Sequence, residues 1–392
     1  MERHINVCFV SHGAADTNSG VQIEALRSAL RAHGVDSIMI DASRASNSRP
    51  GFVRPGATWS MSFADRRPAD MIHAWTPREN VRRATCIVSA GGRIPHAVHL
   101  EDHEEVLLAD SVGTQTYAQL KSNPSPRLIA STPEDRIHIL RHRSFLGSAI
   151  GATMLVDALS CFAPPAIPQI TFWPGFEEQF ASTPPSAGLR AALGVAPETA
   201  MLFYPGNVHP SNQGEVEELY RAVLLMADRG IRVRLVRTGQ GEPPASGELE
   251  RRGLLQHLGI VPRAMVSHLT ASATLLVQPG GPGDFNDSRF PSKLPEFLAT
   301  GRPVILPRAN VGLHLRHRWN AWVTQRGDAE EIAVAAATLL GDPALAEAIG
   351  RRGRAFALDR LRWPSAARIV ADFYLDCLQK RPSSSRTMLS LR

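Results

Sequence analysis

Lysine is scarce in this chain of 392 residues: Lys121, Lys293 and Lys380 are the only ones among 43 basic side chains. The formal charge of +6 is spread along the sequence, and aromatic residues make up only 6% of it. Without a dense basic run interleaved with aromatics, nucleic acid is not an expected partner, whereas a phosphorylated ligand or an anionic membrane surface suffices to account for the charge. The four cysteines, Cys8, Cys86, Cys161 and Cys377, form no CxxC and no Cys/His cluster. That rules out a readable zinc site or disulfide framework, and the thiols are expected to be reduced. Neither a metal nor a resident cofactor is expected. No stretch of 18 apolar residues occurs, and the opening MERHINVCFVSHG has no long apolar segment with a small-residue cleavage site. The expected location is the cytoplasm.

With 43% hydrophobic and 20% charged residues, the chain has the composition of a soluble folded protein. Its length favours two domains of about 150–200 residues with a cleft between them. Short apolar runs alternate with helix-periodic stretches. INVCFV at 5–10 precedes the helical VQIEALRSALRAHG, which closes at Gly34; DSIMID, ADMIHAW, ATCIVSA and HAVHLED follow as strands. Residues 104–150 read mostly as helices, and ATMLVDAL at 152–159 as a late strand. The alternation restarts at AMLFYPGN (200–207), with a helix over 214–229, then IRVRLVRTG, LLQHLGIV, a helix from Arg263, ATLLVQPGG, the helix LPEFLATG, PVILP, AWVTQ and helices over 328–340 and 343–379. This pattern predicts two α/β halves built on parallel sheets. A rise in proline density places the boundary near residue 182, and the polar, basic tail 380–392 is expected to be disordered.

Open parallel sheets bind ligands beyond the carboxyl ends of their strands, and three segments stand there. Asn18-Ser19-Gly20 opens a helix and can turn backbone N–H groups toward an anion. It is not GxGxxG, and an ordinary strand-to-helix turn fits Ser19 and Gly20 equally well. HLEDHEE at 99–105 crowds carboxylates and imidazoles at a strand end, giving Glu101, Asp102 and His103 either a catalytic or acceptor-positioning role or no more than solvated charge. It is not a specific metal pattern. Between Gly280 and Gly301, a glycine-rich turn leads to Ser292 at an expected helix N-cap. Lys293 adds a mobile charge for phosphate oxygens, and Glu296, one turn in, suits the adjacent hydroxyls of a ribose. The alternative is a capped helix with surface charges.

These segments are joined by PSKLPEFLATGRPVILP at 291–307, WPGFEEQF at 173–180 with Gly175 and Phe180, LFYPGNVHPSNQGEVEELYRAV, and LVRTGQG. Together they resemble family 4 glycosyltransferases, retaining enzymes of the GT-B fold. The resemblance implies an α/β GT-B protein with two Rossmann-like domains whose parallel sheets face a central cleft. Residues 1–182 would be the acceptor domain, 183–362 the nucleotide-sugar domain, and 363–379 a helix crossing back to the first. Glu296 matches the second Glu of the family's E-x7-E motif. Asn207 and Gln213 stand where the family usually has Arg and Lys, and Ser288 replaces the first Glu. Either other groups hold the donor diphosphate or transfer has been lost, leaving a non-catalytic GT-B subunit that binds nucleotide or a partner glycosyltransferase. The substitutes proposed for the diphosphate are Arg237, which otherwise reads as a surface or ion-pair residue, Lys293 and the turn carrying Phe290, Ser292 and Leu294. Asp287 or Asn286 would take the donor sugar.

The resemblance further implies metal-independent, hexosyltransferase-like transfer from a nucleotide diphosphate sugar to a hydroxyl of a glycan, lipid-linked or small-molecule acceptor, in cell-surface polysaccharide or glycolipid biosynthesis. Asp102 would orient donor or acceptor. Arg82, Arg83, Arg136, Arg141 and Arg143 either bring the first domain to the inner face of the cell membrane or are ordinary surface arginines. His73 and Trp75 either line the acceptor side or pack as a core pair.

Overall fold

Each strand runs parallel to its sheet neighbours, so consecutive strands need crossovers, and helical segments supply them. The computed structural model describes residues 4–46, 63–89 and 93–380; residues 381–392 of the predicted tail lie outside these. The chain divides into two units, Met1–Pro174 with Trp363–Arg392, and Gly175–Arg362.

In the first unit β1 (Ile5–Ser11) is buried at every position, as a strand covered on both faces must be. It is followed by α1 (Asn18–Leu30), β2 (Val35–Asp41), β3 (Met71–Trp75), α2 (Glu79–Val88), β4 (His96–Leu100), α3 (Glu104–Val112), β5 (Gly151–Met154) and β6 (Gln169–Thr171), with sheet order β2-β1-β3-β4-β5-β6. Residues 84–88 of the expected strand ATCIVSA are instead the second half of α2; Ala90 lies outside the described residues. The buried side chains of α2 include Val81, Ala84, Thr85 and Val88 at the spacing of a helix face, a period that a short apolar run conceals.

The second unit repeats the plan with β7 (Ala200–Pro205), α4 (Gln213–Asp228), β8 (Val233–Thr238), β9 (Leu255–His257), α5 (Arg263–Ser272), β10 (Leu275–Val277), α6 (Leu294–Ala299), β11 (Val304–Pro307), β12 (Trp322–Thr324), α7 (Ala329–Gly341) and α8 (Pro343–Arg360), in sheet order β12-β11-β10-β7-β8-β9. Its core includes Leu202, Tyr204, Leu219, Tyr220, Val223 and Leu235, between sheet and α4. The helical run then breaks at Leu361, and Pro364 sits in the first turn of α9 (Trp363–Gln379), where a missing N–H is tolerated.

Helix α9 packs on α1 in the first unit. Its Tyr374 hydroxyl meets His73 Nδ1 at 2.7 Å, and His73 Nε2 meets Thr153 Oγ1 at 2.9 Å. A Cβ added to Gly151 would stand 2.6 Å from both Cys377 Sγ and Phe373 Cζ, so α9 lies directly on the start of β5. Gly151→Val should therefore overpack this seam and cost about 1–3 kcal/mol, read as a lower urea midpoint of the full chain.

Candidate active site

Strand β7 ends at Pro205 and turns at Gly206, whose φ of +132° favours glycine. A side chain there would meet Lys293 Nζ, 3.2 Å from the position of a Cβ. The Lys293 ammonium lies 4.4 Å from the Tyr204 ring centroid and 3.4 Å from the Tyr204 hydroxyl. From β8, Arg237 is in register with Tyr204 and reaches the same turn. Its Nη2 donates to the carbonyls of Gln240 at 2.7 Å and Gly206 at 3.5 Å. Arg237 is fully buried, yet its Nε and Nη1 have no hydrogen-bond partner. Nor does the hydroxyl of Tyr220, whose pKa burial pushes up to about 12 against the pull of the nearby Arg237 charge. Among the described residues neither Arg237 nor Lys293 is ion-paired with a carboxylate. Two cations thus meet at one glycine turn at the carboxyl edge of a parallel sheet, an arrangement suited to an anion.

The predicted residues around this turn divide into holders of the fold and free groups. Asn207 fastens two loops, its Oδ1 accepting from the Gln240 N–H at 2.8 Å and its carbonyl from Asn212 Nδ2 at 3.0 Å. Gln213 is exposed at the start of α4. Ser288, Phe290 and Leu294 are buried. Ser292 does not cap α6: the N-cap position is Lys293, with no side-chain bond, because the Leu294 N–H is already held by the Pro291 carbonyl at 2.9 Å. Asn286 Nδ2 is taken by Glu215 at 2.6 Å and the Gly281 carbonyl at 2.7 Å. The half-buried carboxylate of Asp287 makes no hydrogen bond or ion pair with the described residues.

Glu296 is 7% exposed and ion-paired with Arg263, which also bonds Glu177 at 2.8 Å. Burial pushes the Glu296 carboxyl up to about 7, against the pull of Arg263. The sequence reading did not find Arg263, because its pairing with a residue 33 positions away leaves no local pattern.

In the first unit, Glu101 follows β4 and is buried. Its Oε2 accepts from Ser19 Oγ at 2.7 Å and its Oε1 from Trp75 Nε1 at 2.6 Å. Burial and then the Asp102 charge push its carboxyl up to about 7. Ser19 Oγ also meets His12 Nε2 at 3.0 Å. Burial, Arg78 and Arg136 hold His12 down to about 3, so the ring is neutral near pH 7. His12 was missed, although it too stands just past a strand end. The Gly20 N–H is not open to an anion, since it donates to the N-cap Thr17 Oγ1 at 3.1 Å. Asp102 is partly exposed, 4.0 Å from Arg78, while Arg78 and Glu104 form a buried pair at 3.0 Å.

His103 caps α3, its Nδ1 accepting from the Val106 N–H at 3.3 Å. His73 and Trp75 are fully buried core residues and do not line an acceptor surface; both His73 nitrogens are engaged, and Trp75 supports Glu101. A cavity of about 370 Å³ bounded by Leu100, Asp102, Glu104, His142 and Phe162 adjoins this edge. A larger hollow of about 1310 Å³ lies at the strands' amino ends, against Pro95, Ile150, Pro168 and Phe373, and includes none of the predicted site residues.

The basic surface expected on this unit is neutralised in place. Arg82 and Arg141 pair with Glu79, Arg83 with Glu134, Arg136 with Asp135 and Arg143 with Glu105. Among the described residues no cluster of three His, Cys, Asp or Glu side chains could hold a metal ion, and no single helix is long and apolar enough to cross a membrane.

Residues 199–342, within the second unit, match the family model for glycosyl transferases group 1. No curated protein sequence matches the chain. Among solved structures, sucrose-phosphate synthase from Thermosynechococcus elongatus is 14% identical, with a TM-score of 0.66 over 96% of this chain and 100% of that one. HepE from Anabaena, in complex with UDP and glucose, is 16% identical with a TM-score of 0.65, covering 95% and 100%. WaaG, a glycosyltransferase involved in lipopolysaccharide biosynthesis, is 16% identical with a TM-score of 0.62, covering 94% and 99%.

The chain has the GT-B fold. Its two six-stranded parallel sheets are the two Rossmann-like domains of that architecture.

The Glu101 environment makes stability depend on pH. A carboxyl held near 7 in the folded state and at its ordinary 4.5 when unfolded binds more protons when folded. Its contribution to stability is complete below about 4.5 and is lost as pH rises through about 7. Glu101→Gln should remove this share, so the difference in unfolding free energy between variant and parent should change between pH 4.5 and 7, measured by urea denaturation across that range.

Proposed function

We propose that the protein is a retaining, metal-independent glycosyltransferase that moves a sugar, of hexose type, from a nucleoside diphosphate sugar to an acceptor hydroxyl. The observation that carries this reading is the meeting of Lys293 and Arg237 at Gly206 without a carboxylate, in the segment that matches the group 1 glycosyl transferases. In the reaction the bond from the anomeric carbon to the diphosphate oxygen breaks, and its electron pair leaves with the diphosphate. The acceptor oxygen bonds to the same face of that carbon, and its proton passes to the leaving phosphate. Negative charge grows on the diphosphate as the bond opens, so cations fixed beside it stabilise the transition state more than the ground state.

Lys293 and Arg237 serve that charge. Asp287, with its carboxylate unengaged, takes hydroxyls of the donor sugar. Glu296 takes the ribose: Arg263 donates to both carboxylate oxygens, and each keeps a lone pair for a hydroxyl. On the first unit Asp102, at the mouth of the 370 Å³ cavity, orients the acceptor, and the buried Glu101 network holds the strand end beneath it. A role in the synthesis of cell-surface glycans or glycolipids in the cytoplasm fits this chemistry, and HepE and WaaG are proteins of related fold that bind UDP with glucose or act in lipopolysaccharide biosynthesis.

One observation favours a second reading, a non-catalytic subunit that binds nucleotide: Arg237 is sealed and Asn207 is spent on fastening loops. Thermal-shift binding of UDP, GDP, ADP and TDP, followed by transfer assays with the matching sugar donors, separates the two. A catalyst releases nucleotide with turnover, whereas a scaffold only binds. Lys293→Ala should weaken the preferred nucleoside diphosphate by about 1.5–3 kcal/mol, roughly ten- to hundredfold in Kd, with the ligand-free Tm unchanged. Unaltered affinity would remove the cation argument.

A further inference from the structure

The five arginines expected to form a basic surface are paired with carboxylates, whereas three arginines grouped around tryptophan rings in the second unit are not. The loop between β11 and β12 runs back to the amino end of β12 and exposes Leu313 (60%) and Trp319 (46%). Arg352 of α8 stacks on Trp319 at 3.6 Å from its ring centroid, and Arg316 stands 5.4 Å from the same ring. Arg318 lies 5.3 Å from the Trp322 ring. Among the described residues none of these three arginines is ion-paired with a carboxylate, in contrast to the five paired arginines of the first unit.

The loop is also rigid. The Arg316 N–H donates to Asn320 Oδ1 at 2.7 Å, the Trp319 N–H to the Arg316 carbonyl at 3.0 Å, and the Arg318 N–H to the Ala321 carbonyl at 2.9 Å. Arg318 has φ +58°, a left-handed conformation that strains a residue with a Cβ, so the fold holds an arginine where glycine would sit without strain. Because strands β7 and β12 run parallel in one sheet, Arg318 and Trp319, just before the amino end of β12, and the Gly206 turn at the carboxyl end of β7 lie at opposite edges of the second unit; Leu313 instead follows Gly312, which lies against the Pro307 carbonyl at the carboxyl end of β11.

We propose that Arg316, Arg318, Trp319 and Arg352 form a docking surface for an anionic lipid bilayer. Charge complementarity selects a negative partner. The exposed indole selects a bilayer over a soluble polyanion, because it gains by entering the boundary between headgroups and acyl chains while the guanidiniums stay with the phosphates. The surface stands independently of the glycosyltransferase reading and leaves the nucleotide turn free.

The test is sedimentation of the full chain with vesicles of phosphatidylcholine, or of phosphatidylcholine with one third phosphatidylglycerol, at rising salt. Binding is expected only to the anionic vesicles and is expected to weaken with salt. Each basic residue near the surface contributes about 1 kcal/mol, roughly fivefold in partition, so Arg316→Gln with Arg318→Gly should reduce binding by roughly twenty- to thirtyfold. Arg318→Gly removes a charge and the backbone strain together, so its loss of binding cannot be ascribed to unfolding. Trp319→Ala should also reduce binding, with nucleoside diphosphate affinity unchanged in every variant. Equal binding to neutral vesicles would overturn the proposal, as would binding unaffected by these substitutions. Capture of a short RNA as tight as that of anionic vesicles, and insensitive to Trp319→Ala, would also overturn it, in favour of a polyanion site.

Discussion

A positive charge buried without a counter-charge is among the costliest features a fold can hold, of the order of several kcal/mol per ion. The second unit holds such a charge in Arg237, sealed from solvent with two of its donor nitrogens unpartnered, and sets Lys293 against the same glycine turn. The turn favours glycine at Gly206, whose φ of +132° strains a residue with a Cβ and where an added Cβ would stand close to the lysine ammonium. The surrounding loops are closed by neutral bonds through Asn207 and Asn212, so Arg237 gains no ion-pair partner there and Lys293 feels a carboxylate, Glu296, only through space. An anion arriving at this turn supplies the missing charge, and the gain is larger when that anion acquires further negative charge during reaction.

The first unit solves the opposite problem by different means. Glu101 is buried among neutral donors, Ser19 and Trp75, and stays close to protonation near neutral pH, while the neighbouring Glu104 is neutralised by Arg78. Behind this edge, His73, Thr153 and Tyr374 tie the sheet to α9 through a chain of buried hydrogen bonds, so the returning helix is part of what holds the strand ends in position. Polar groups with their partners satisfied fix geometry.

Much of the architecture was legible because parallel sheets buried on both faces write themselves as short apolar runs between helix-periodic stretches. The reading failed at ATCIVSA, where the same run forms half of a helix whose buried face is set by three- and four-residue spacing. Arg237 stood out from its place at a strand end and Lys293 from its place beside an expected helix start, and the structure brings both to the Gly206 turn. The partnership of Glu296 with Arg263 was not, because it is made by tertiary folding across 33 positions. Nor could the sequence distinguish a histidine in the core from one at a surface: His73 and His103 both follow the pattern of site residues, yet one is locked between Tyr374 and Thr153 and the other caps a helix. The arginines of the first unit read as a basic surface only until their carboxylate partners are seen.

The central claim is that the diphosphate of a nucleotide is held at the Gly206 turn. The most direct measurement is a crystal structure of the protein with its preferred nucleoside diphosphate bound. The account predicts a phosphate oxygen about 2.7–2.9 Å from Lys293 Nζ, the span of a charge-assisted hydrogen bond. Phosphates ordered elsewhere on the molecule, with Lys293 still resting on Tyr204 and untouched by ligand, would contradict it.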